Sequence, residues 1–246
     1  MGVGTKEYIN RQRLQEGNFT QEEKTKLENA VKWLEQQIDD DKLIVLVFMD
    51  NYNINNVKQV LTHYAHRGYS HVIIDTGKPG DDRGDMARWE RFAEDFKALY
   101  KLVREDAGGL NLALWVNVQL ADSAINQRFL NELALGDSKK IKNESSVLFL
   151  FRPAWEDEYA GGKYELTCYK YKWDEFAKKY IREEFTLDRY DDNNNKNIYY
   201  LFFTAKNRRG QSNDTGADVL VYRWIPALNV WIEVGFASNV MRDSSR

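Results

Sequence analysis

Cysteine, proline and histidine are scarce in this chain, and each shortage excludes a class of protein. Its 246 residues include one cysteine, three prolines and three histidines. Since Cys168 has no second cysteine to pair with, an intrachain disulfide framework is excluded and a reducing compartment is favoured. His63, His66 and His71 show no spacing, to each other or to Cys168, that suits a zinc site. No Ser/His/Asp set with supporting sequence context is present either.

Long apolar runs and an excess of positive charge are also missing. No apolar stretch approaches the roughly 18 residues of a membrane span, and the start, Met1 to Lys6, lacks the features of a signal peptide. Charged residues make up 30% of the chain, but the formal net charge is only −3. Any nucleic-acid binding must therefore come from local patches. We expect a cytoplasmic protein with no membrane partner, long enough for one large domain.

The first 152 residues alternate between helical patterns and short apolar runs. A polar helical pattern covers residues 8–38, with Thr20 and Glu23 at capping-box spacing, and Asn53 or Asn55 is expected to cap the next helix. A long amphipathic helix follows at residues 89–103. The apolar runs predict strands buried on both faces, at residues 43–48, 71–75, 112–119 and 146–151. This alternation predicts an α/β fold with a mainly parallel sheet.

The C-terminal part reads differently, as a series of strands and turns. Alternating or extended patterns occur at residues 164–171, 182–187, 199–205, 218–224 and 230–234, with a turn at 191–196. We expect one domain, consisting of a helical lead-in (1–42), an α/β core (43–152), a β-rich part (153–236) and a tail (237–246). Aromatic residues interleaved with lysines at 159–173 form either strand packing or a stacking platform for bases.

The most informative segment is Phe202 to Gly210, where an apolar run ends in cations. Because side chains alternate along a strand, Lys206 and Arg208 are expected to project to the same side. Two such cations at a strand end suit a phosphate that another subunit holds, as an arginine finger does. The alternative is a solvated hairpin turn.

Polar residues end two of the predicted strands. Asp75 follows an apolar run, and in parallel sheets ligands bind beyond the carboxyl ends of the strands. This carboxylate is either a Mg²⁺ ligand of the Walker-B kind or an ordinary turn residue. Gln119 ends the next strand, where its amide either senses a γ-phosphate or only caps the strand.

Two loops carry candidate nucleic-acid contacts. Lys139, Lys140 and Lys142 lie in a polar loop between strands, where they either neutralise phosphates of a nucleic-acid strand or form solvated surface. Lys78 and Arg83 lie in a second loop and are weaker candidates. The sequence contains no G-x-x-x-x-G-K-[ST] phosphate loop, since Gly77-Lys78-Pro79 lacks the hydroxyl residue.

Taken in order, these segments resemble the C-terminal ATPase domain of hexameric replicative DNA helicases, the DnaB-like family with a RecA-like P-loop NTPase core. The segments that match are His71–Asp75, Leu114–Leu120, Glu144–Arg152 and Ala205–Gly210. The resemblance implies that Asp75 is the Walker-B acid and metal ligand, that Gln119 senses phosphate, and that Lys206 and Arg208 reach the ATP of the adjacent subunit. It implies strands added antiparallel after a parallel core.

The resemblance further implies ATP and Mg²⁺ as cofactors, single-stranded DNA as substrate, and assembly into a hexameric ring. A helicase loader or a primase would be a partner, and the setting would be bacterial or phage-type. The family's phosphate loop and water-activating acid are expected upstream of residue 1, so the chain alone is expected to be inactive as an ATPase. The alternatives are a non-catalytic DNA-binding or assembly module with a degenerate RecA-like fold, and a relative of RecA-type recombinases.

Overall fold

The computed structural model of the chain describes residues 9–39, 44–50, 52–77, 88–135, 141–213 and 218–240. The helices within them are α1 Arg11–Glu16, α2 Gln21–Asp39, α3 Ile54–His66, α4 Arg88–Val103 and α5 Ile141–Glu144. The strands are β1 His71–Ile74, β2 Ala113–Val116, β3 Val147–Pro153, β4 Cys168–Asp174, β5 Lys179–Phe185, β6 Ile198–Asn207, β7 Val219–Ile225 and β8 Val230–Ala237. In this part of the chain, none of the helices combines the length and the apolarity that crossing a membrane requires.

Local signals at the helix starts are confirmed. The N-terminal helical pattern divides into α1 and α2 at Gly17, whose φ of 68° ends the first helix. At the start of α2 the capping box forms in both directions: Thr20 N donates to Glu23 Oε2 at 2.8 Å, and Glu23 N donates to Thr20 Oγ1 at 3.2 Å. Asn53, rather than Asn55, caps α3, because Asn56 N donates to Asn53 Oδ1 at 2.9 Å.

A two-stranded parallel sheet follows the N-terminal helices. β1 and β2 pair in register, with Ile74 opposite Val116. One face of this pair packs against α3 and α4 in a small core of Ile54, Val57, Leu61, Leu99 and Leu112, which Ile74 and Leu114 join from the strands. The opposite face is open, since alternate residues such as Ile73 (72% exposed) and Trp115 (52% exposed) point away from that core.

The larger sheet has six strands in the order β3-β6-β7-β8-β4-β5, with every neighbouring pair antiparallel. One of its faces packs on the main core, to which the strands contribute Leu150, Leu201, Phe203 and Val221. Residues of the segment between β2 and α5, including Leu130, cover the same face. The fold is thus mixed α/β, with a small parallel sheet and a larger antiparallel one, and the antiparallel strands of the C-terminal part are confirmed.

The expectation of a mainly parallel sheet of strands buried on both faces needs correction. β1 and β2 are parallel, but alternate residues of both are exposed, and β2 ends at Val116 rather than at Gln119. The run 146–151 forms β3, but β3 pairs antiparallel with β6 and buries one face only. Leu148 and Leu150 are buried, whereas Phe149 and Phe151 are 44% and 53% exposed. In the run 43–48 the described residues form no strand, and Phe48 is 89% exposed. β-propensity alone does not make a strand where no neighbour accepts its hydrogen bonds.

The outer face of the antiparallel sheet is a continuous layer of aromatic rings, which we call the aromatic face. Stacked or edge-on contacts run across the strands, with centroid distances of 5.2 Å between Phe151 and Phe202 and 4.8 Å between Tyr200 and Trp231. Such contacts stabilise cross-strand pairs beyond their area burial. The members of the aromatic face are Phe149, Phe151, Tyr200, Phe202, Tyr222, Trp224 and Trp231.

Candidate functional site

The first group of candidate residues lies at the carboxyl edge of the parallel pair. Asp75 directly follows β1 and Asn117 directly follows β2, and the parallel register places these two residues opposite each other. Asp75, Asn117 and Gln119 are all exposed. Gln119 lies three residues beyond the end of β2, which is shorter than the predicted strand 112–119, so the role of Gln119 stays a prediction.

A chain of hydrogen bonds orients the Asp75 carboxylate. The indole Nε1 of Trp115 donates to Asn117 Oδ1 at 2.7 Å, and Asn117 Nδ2 donates to Asp75 Oδ1 at 3.2 Å. Because an indole N–H can only donate, it fixes the Asn117 amide with its NH₂ group towards the carboxylate. The Trp115 ring in turn stacks on Phe149 of β3, at a centroid distance of 6.0 Å.

Trp115 and Asn117 were not predicted as site residues, although their spacing carried a signal. They stand at i and i+2 relative to each other, and Gln119 stands at i+4, so all three belong to one face of an extended segment. All three are exposed, whereas the alternating residues Leu114 and Val116 are less exposed. Hydrogen-bonding side chains on the outer face of an apolar run are the feature to search for.

The chemistry of Asp75 fits a Mg²⁺ ion that is held mainly by phosphate oxygens. In the described part of the chain, both hydrogen bonds to this carboxylate, from Asn117 and from Thr76 Oγ1 (3.3 Å), go to Oδ1. Oδ2 is left for a ligand. Among these residues there is no cluster of three or more His, Cys, Asp or Glu side chains that would form a protein cage for a metal. Mg²⁺ commonly binds through one or two carboxylates plus substrate phosphates and water.

The second group lies at the end of β6, where Lys206 and Arg208 reach the same side of the sheet. Lys206 is the penultimate residue of β6, and Arg208 follows in the turn. The Lys206 ammonium donates to the carbonyl oxygen of Lys142, and Arg208 Nη2 donates to that of Asn143 at 2.5 Å. Both cations thus meet the backbone of α5, and the shared direction predicted from their spacing is present.

Tyr100 of α4, and Arg104 directly after the end of α4, also belong to this group. The Tyr100 hydroxyl accepts a hydrogen bond from Arg208 Nη1 and another from Arg104 Nη1. The guanidinium carbons lie 5.3 Å (Arg208) and 4.7 Å (Arg104) from the centre of the Tyr100 ring. We call Arg104, Lys142, Lys206 and Arg208 the cation cluster; Arg104 and Arg208 contact Tyr100, and the charges of Lys142 and Arg208 act on Lys206. Burial, and then the positive charges of Arg208 and Lys142, lower the pKa of Lys206.

Acidic side chains balance part of the cation cluster. Arg104 Nε donates to Asp106 Oδ1 at 2.6 Å, and Lys142 pairs with Glu132 at 2.5 Å. The hydrogen bond from Lys142 lowers the pKa of Glu132. In the described part of the chain, by contrast, the hydrogen-bond acceptors of Lys206 and Arg208 are neutral carbonyl and phenol oxygens. Their charge therefore has no carboxylate in direct contact within that part.

Most of the predicted DNA-contact residues lie outside the described part of the chain. Lys78, Arg83, Lys139 and Lys140 lie outside the described residues, so their role stays a prediction. Lys142 is described, and its ammonium is engaged by Glu132. In the aromatic stretch, Tyr159 and Tyr169 are buried, while Tyr171 and Trp173 are 60% and 42% exposed. The stretch therefore contributes both to core packing and to an exposed surface.

A buried ion pair fixes the segment that leaves β2 against β3. Arg152 donates from Nη1 and Nη2 to the two oxygens of Glu158, each at 2.7 Å. Arg152 Nε also donates to the backbone oxygen of Arg128 at 2.8 Å, and Arg128 Nη1 lies 3.3 Å from Glu158 Oε1. Through these bonds the segment after Gln119 is held in one position relative to the antiparallel sheet.

The two candidate groups have no direct bond to each other among the described residues. In the described part, no hydrogen bond or ion pair joins Asp75 to Lys206 or Arg208. A scan against protein-family models and a search of curated proteins each found no match for the chain. The chemistry of the two groups is therefore argued from their own geometry.

Proposed function

We propose that this chain is the C-terminal portion of an ATP-dependent replicative DNA helicase motor, with a RecA-like core, that acts on single-stranded DNA within a hexameric ring. The observation that carries the proposal is the pair Lys206 and Arg208 at the end of β6. Their cationic groups share one side of the sheet, and their contacts in the described part are with neutral oxygens. A phosphate is the ligand that such a pair favours.

In this proposal the two groups act at two different nucleotides. Asp75 contributes to Mg²⁺ binding on its own subunit, with Asn117 holding one oxygen of the carboxylate. Gln119, three residues beyond the end of β2, is the sensor of the γ-phosphate. Lys206 and Arg208 reach the ATP of a neighbouring subunit, where they stabilise the charge that develops on the phosphoryl group. Among the described residues no hydrogen bond or ion pair holds the two groups together, so the proposal assigns them to opposite sides of a subunit interface.

The phosphate cradle comes from polypeptide outside these 246 residues, since they contain no phosphate-loop motif. Partners of the intact ring would be a helicase loader or a primase. Single-stranded DNA would be contacted through Lys139, Lys140 and Lys142, with Lys78 and Arg83 as weaker contacts.

The test is the turnover of a ring to which a polypeptide with a phosphate loop is supplied, co-expressed or fused. Arg208→Ala should lower kcat by about 10³-fold or more, because a finger stabilises transition-state charge. Arg209→Ala is the matched control, since its backbone N–H donates to Asn207 in the same turn but it is no member of the cation cluster. Equal losses from the two variants would contradict the proposal.

The aromatic face favours a second candidate function, a non-catalytic assembly module. Phe149, Phe151 and Trp231 on this face are 44%, 53% and 41% exposed, and a broad exposed apolar surface is typical of protein interfaces. The test is to measure the oligomeric state of the purified chain and of its Phe151→Lys variant by light scattering. Under the assembly function this variant should dissociate an oligomer while phosphate-dependent properties remain unchanged.

A further inference from the structure

The hydroxyl oxygen of Tyr100 is a shared acceptor, because two guanidinium groups donate hydrogen bonds to it. Arg104 approaches it from the position directly after the end of α4, and Arg208 approaches it from the turn after β6. A phenol oxygen has two lone pairs and accepts both bonds. Residues 100, 104 and 208 are thus fixed relative to one another by one atom.

The cation cluster has four positive side chains, and among the described residues the carboxylates that act on it are those of Asp106, Glu132 and Glu144. Like charges repel at short range, and partial burial strengthens the repulsion. Asp106 engages Nε and Nη2 of Arg104, and Glu132 engages Lys142. Arg208 and Lys206, in the described part, meet neutral oxygens only. An oxyanion placed between Arg208 and Lys206 would relieve this repulsion.

We propose that Tyr100 and Arg104 complete, with Lys206 and Arg208, a binding site for a terminal phosphate group, in which Tyr100 positions both arginines. The inference rests on the proposed function for the origin of that phosphate in a nucleotide. A terminal phosphate presents three oxygens, which match the fork of a guanidinium group and the point charge of an ammonium group. A phosphodiester of a nucleic-acid backbone presents two oxygens and one charge, and so fits the cluster less well.

Geometry assigns a separate role to each member. Arg208 is exposed and begins the turn after β6, so its side chain can leave the Asn143 carbonyl and rotate towards a ligand. Lys206 is half-buried and supplies a fixed charge at the base of the site. Arg104 is anchored by Asp106 and brings its Nη1 to the Tyr100 oxygen. Tyr100 touches no phosphate in this scheme and is a positioning residue.

The experiment uses the purified 246-residue chain and pyrophosphate as the probe. Binding is followed by the ¹⁵Nε–Hε signals of the arginine side chains and by calorimetry, so no ATPase activity is required. Pyrophosphate should shift the Arg104 and Arg208 signals along one common binding curve. Arg104→Gln should weaken binding about tenfold or more, since one positive charge of the site and one of the two hydrogen bonds that fix Tyr100 are lost. Tyr100→Phe keeps the ring but removes the hydroxyl, so it should weaken pyrophosphate binding several-fold. The Arg104 and Arg208 signals should then no longer shift along one common binding curve.

Arg209→Gln is the matched control, and it should change the affinity less than about twofold, because Arg209 lies in the same turn but outside the cluster. Equal weakening by Arg104→Gln and Arg209→Gln, or an Arg104 signal that stays unmoved at saturation, would overturn the inference. A thymidine oligonucleotide that competes as strongly as pyrophosphate would overturn the preference for a terminal phosphate. Pyrophosphate binding without any effect of Arg208→Ala on ring turnover would leave this site standing and remove the proposed helicase role.

Discussion

Glu158→Gln is the most informative test of what holds the site region together. The substitution keeps the shape of the side chain but removes its charge, so that Arg152 stays buried without its counter-ion. The native pair is a two-bond fork with both bonds at 2.7 Å, and the side chains of Arg152 and Glu158 are only 7% and 1% exposed. Breaking such a pair from one side costs about 3–5 kcal/mol, because the remaining charge is left buried and unpaired.

A surface ion pair from the same turn provides the control. Glu156 pairs with Lys196 at 2.6 Å and with Arg189 at 3.0 Å, but its side chain is 63% exposed. Exposed pairs contribute about 0–1 kcal/mol, so Glu156→Gln should hardly change the free energy of unfolding. The distances in the two pairs are similar, and burial is what separates the expected effects.

Urea unfolding followed by tryptophan fluorescence measures both variants. A typical domain has only about 5–15 kcal/mol of stability, so Glu158→Gln should lower the urea midpoint severely while Glu156→Gln leaves it in place. The double variant Arg152→Met, Glu158→Met should recover part of the loss, since it removes both charges. A Glu158→Gln variant that is no less stable than Glu156→Gln would refute the reasoning.

Three further predictions concern titration, DNA and ATP. Burial raises the pKa of the Cys168 thiol to about 12, so the thiol ionises more easily in the unfolded chain. The free energy of unfolding should therefore fall by up to about 4 kcal/mol between pH 9 and pH 12, and by less in Cys168→Ala, when urea unfolding is measured across this pH range. The slope of log K against log salt for single-stranded DNA binding should become flatter by about 2 units, at ~0.7 per phosphate contact, when Lys139, Lys140 and Lys142 are all replaced with alanine. An unchanged slope would mean that the three lysines are only solvated surface. The purified chain should not hydrolyse ATP steadily, because it has no phosphate loop, and hydrolysis abolished by Asp75→Ala would contradict this.

The features that sequence predicted well are those that depend on neighbours along the chain. The capping box of Thr20 and Glu23 forms because its two residues are three positions apart. The two strands of the parallel pair likewise form within their own apolar runs, although the second ends at Val116 and not, as predicted, at Gln119. Their parallel pairing followed from the helix between them, since parallel neighbours need a crossover.

The features that sequence did not predict depend on contacts between distant residues. The run around Phe149 is uniformly apolar, and only its antiparallel pairing with β6 decides that one face is buried and the other exposed. The contact of Tyr100 with Arg208 joins residues 108 positions apart. No pattern among neighbouring residues in the sequence predicts such a contact. Arg104 was not predicted either, because it lies one position beyond the end of α4, in extended backbone, where no helical pattern relates it to Tyr100.

The central claim is that Arg208 acts on a nucleotide bound by a neighbouring subunit, and subunit mixing tests it most directly. Rings are assembled with a phosphate-loop polypeptide from two inactive variants, Asp75→Ala and Arg208→Ala, and ATP turnover is measured across mixing ratios. Action in trans predicts that mixed rings recover activity, because an intact Asp75 then faces an intact Arg208 at some interfaces. Turnover that stays at the level of the separate variants at every ratio would contradict the claim.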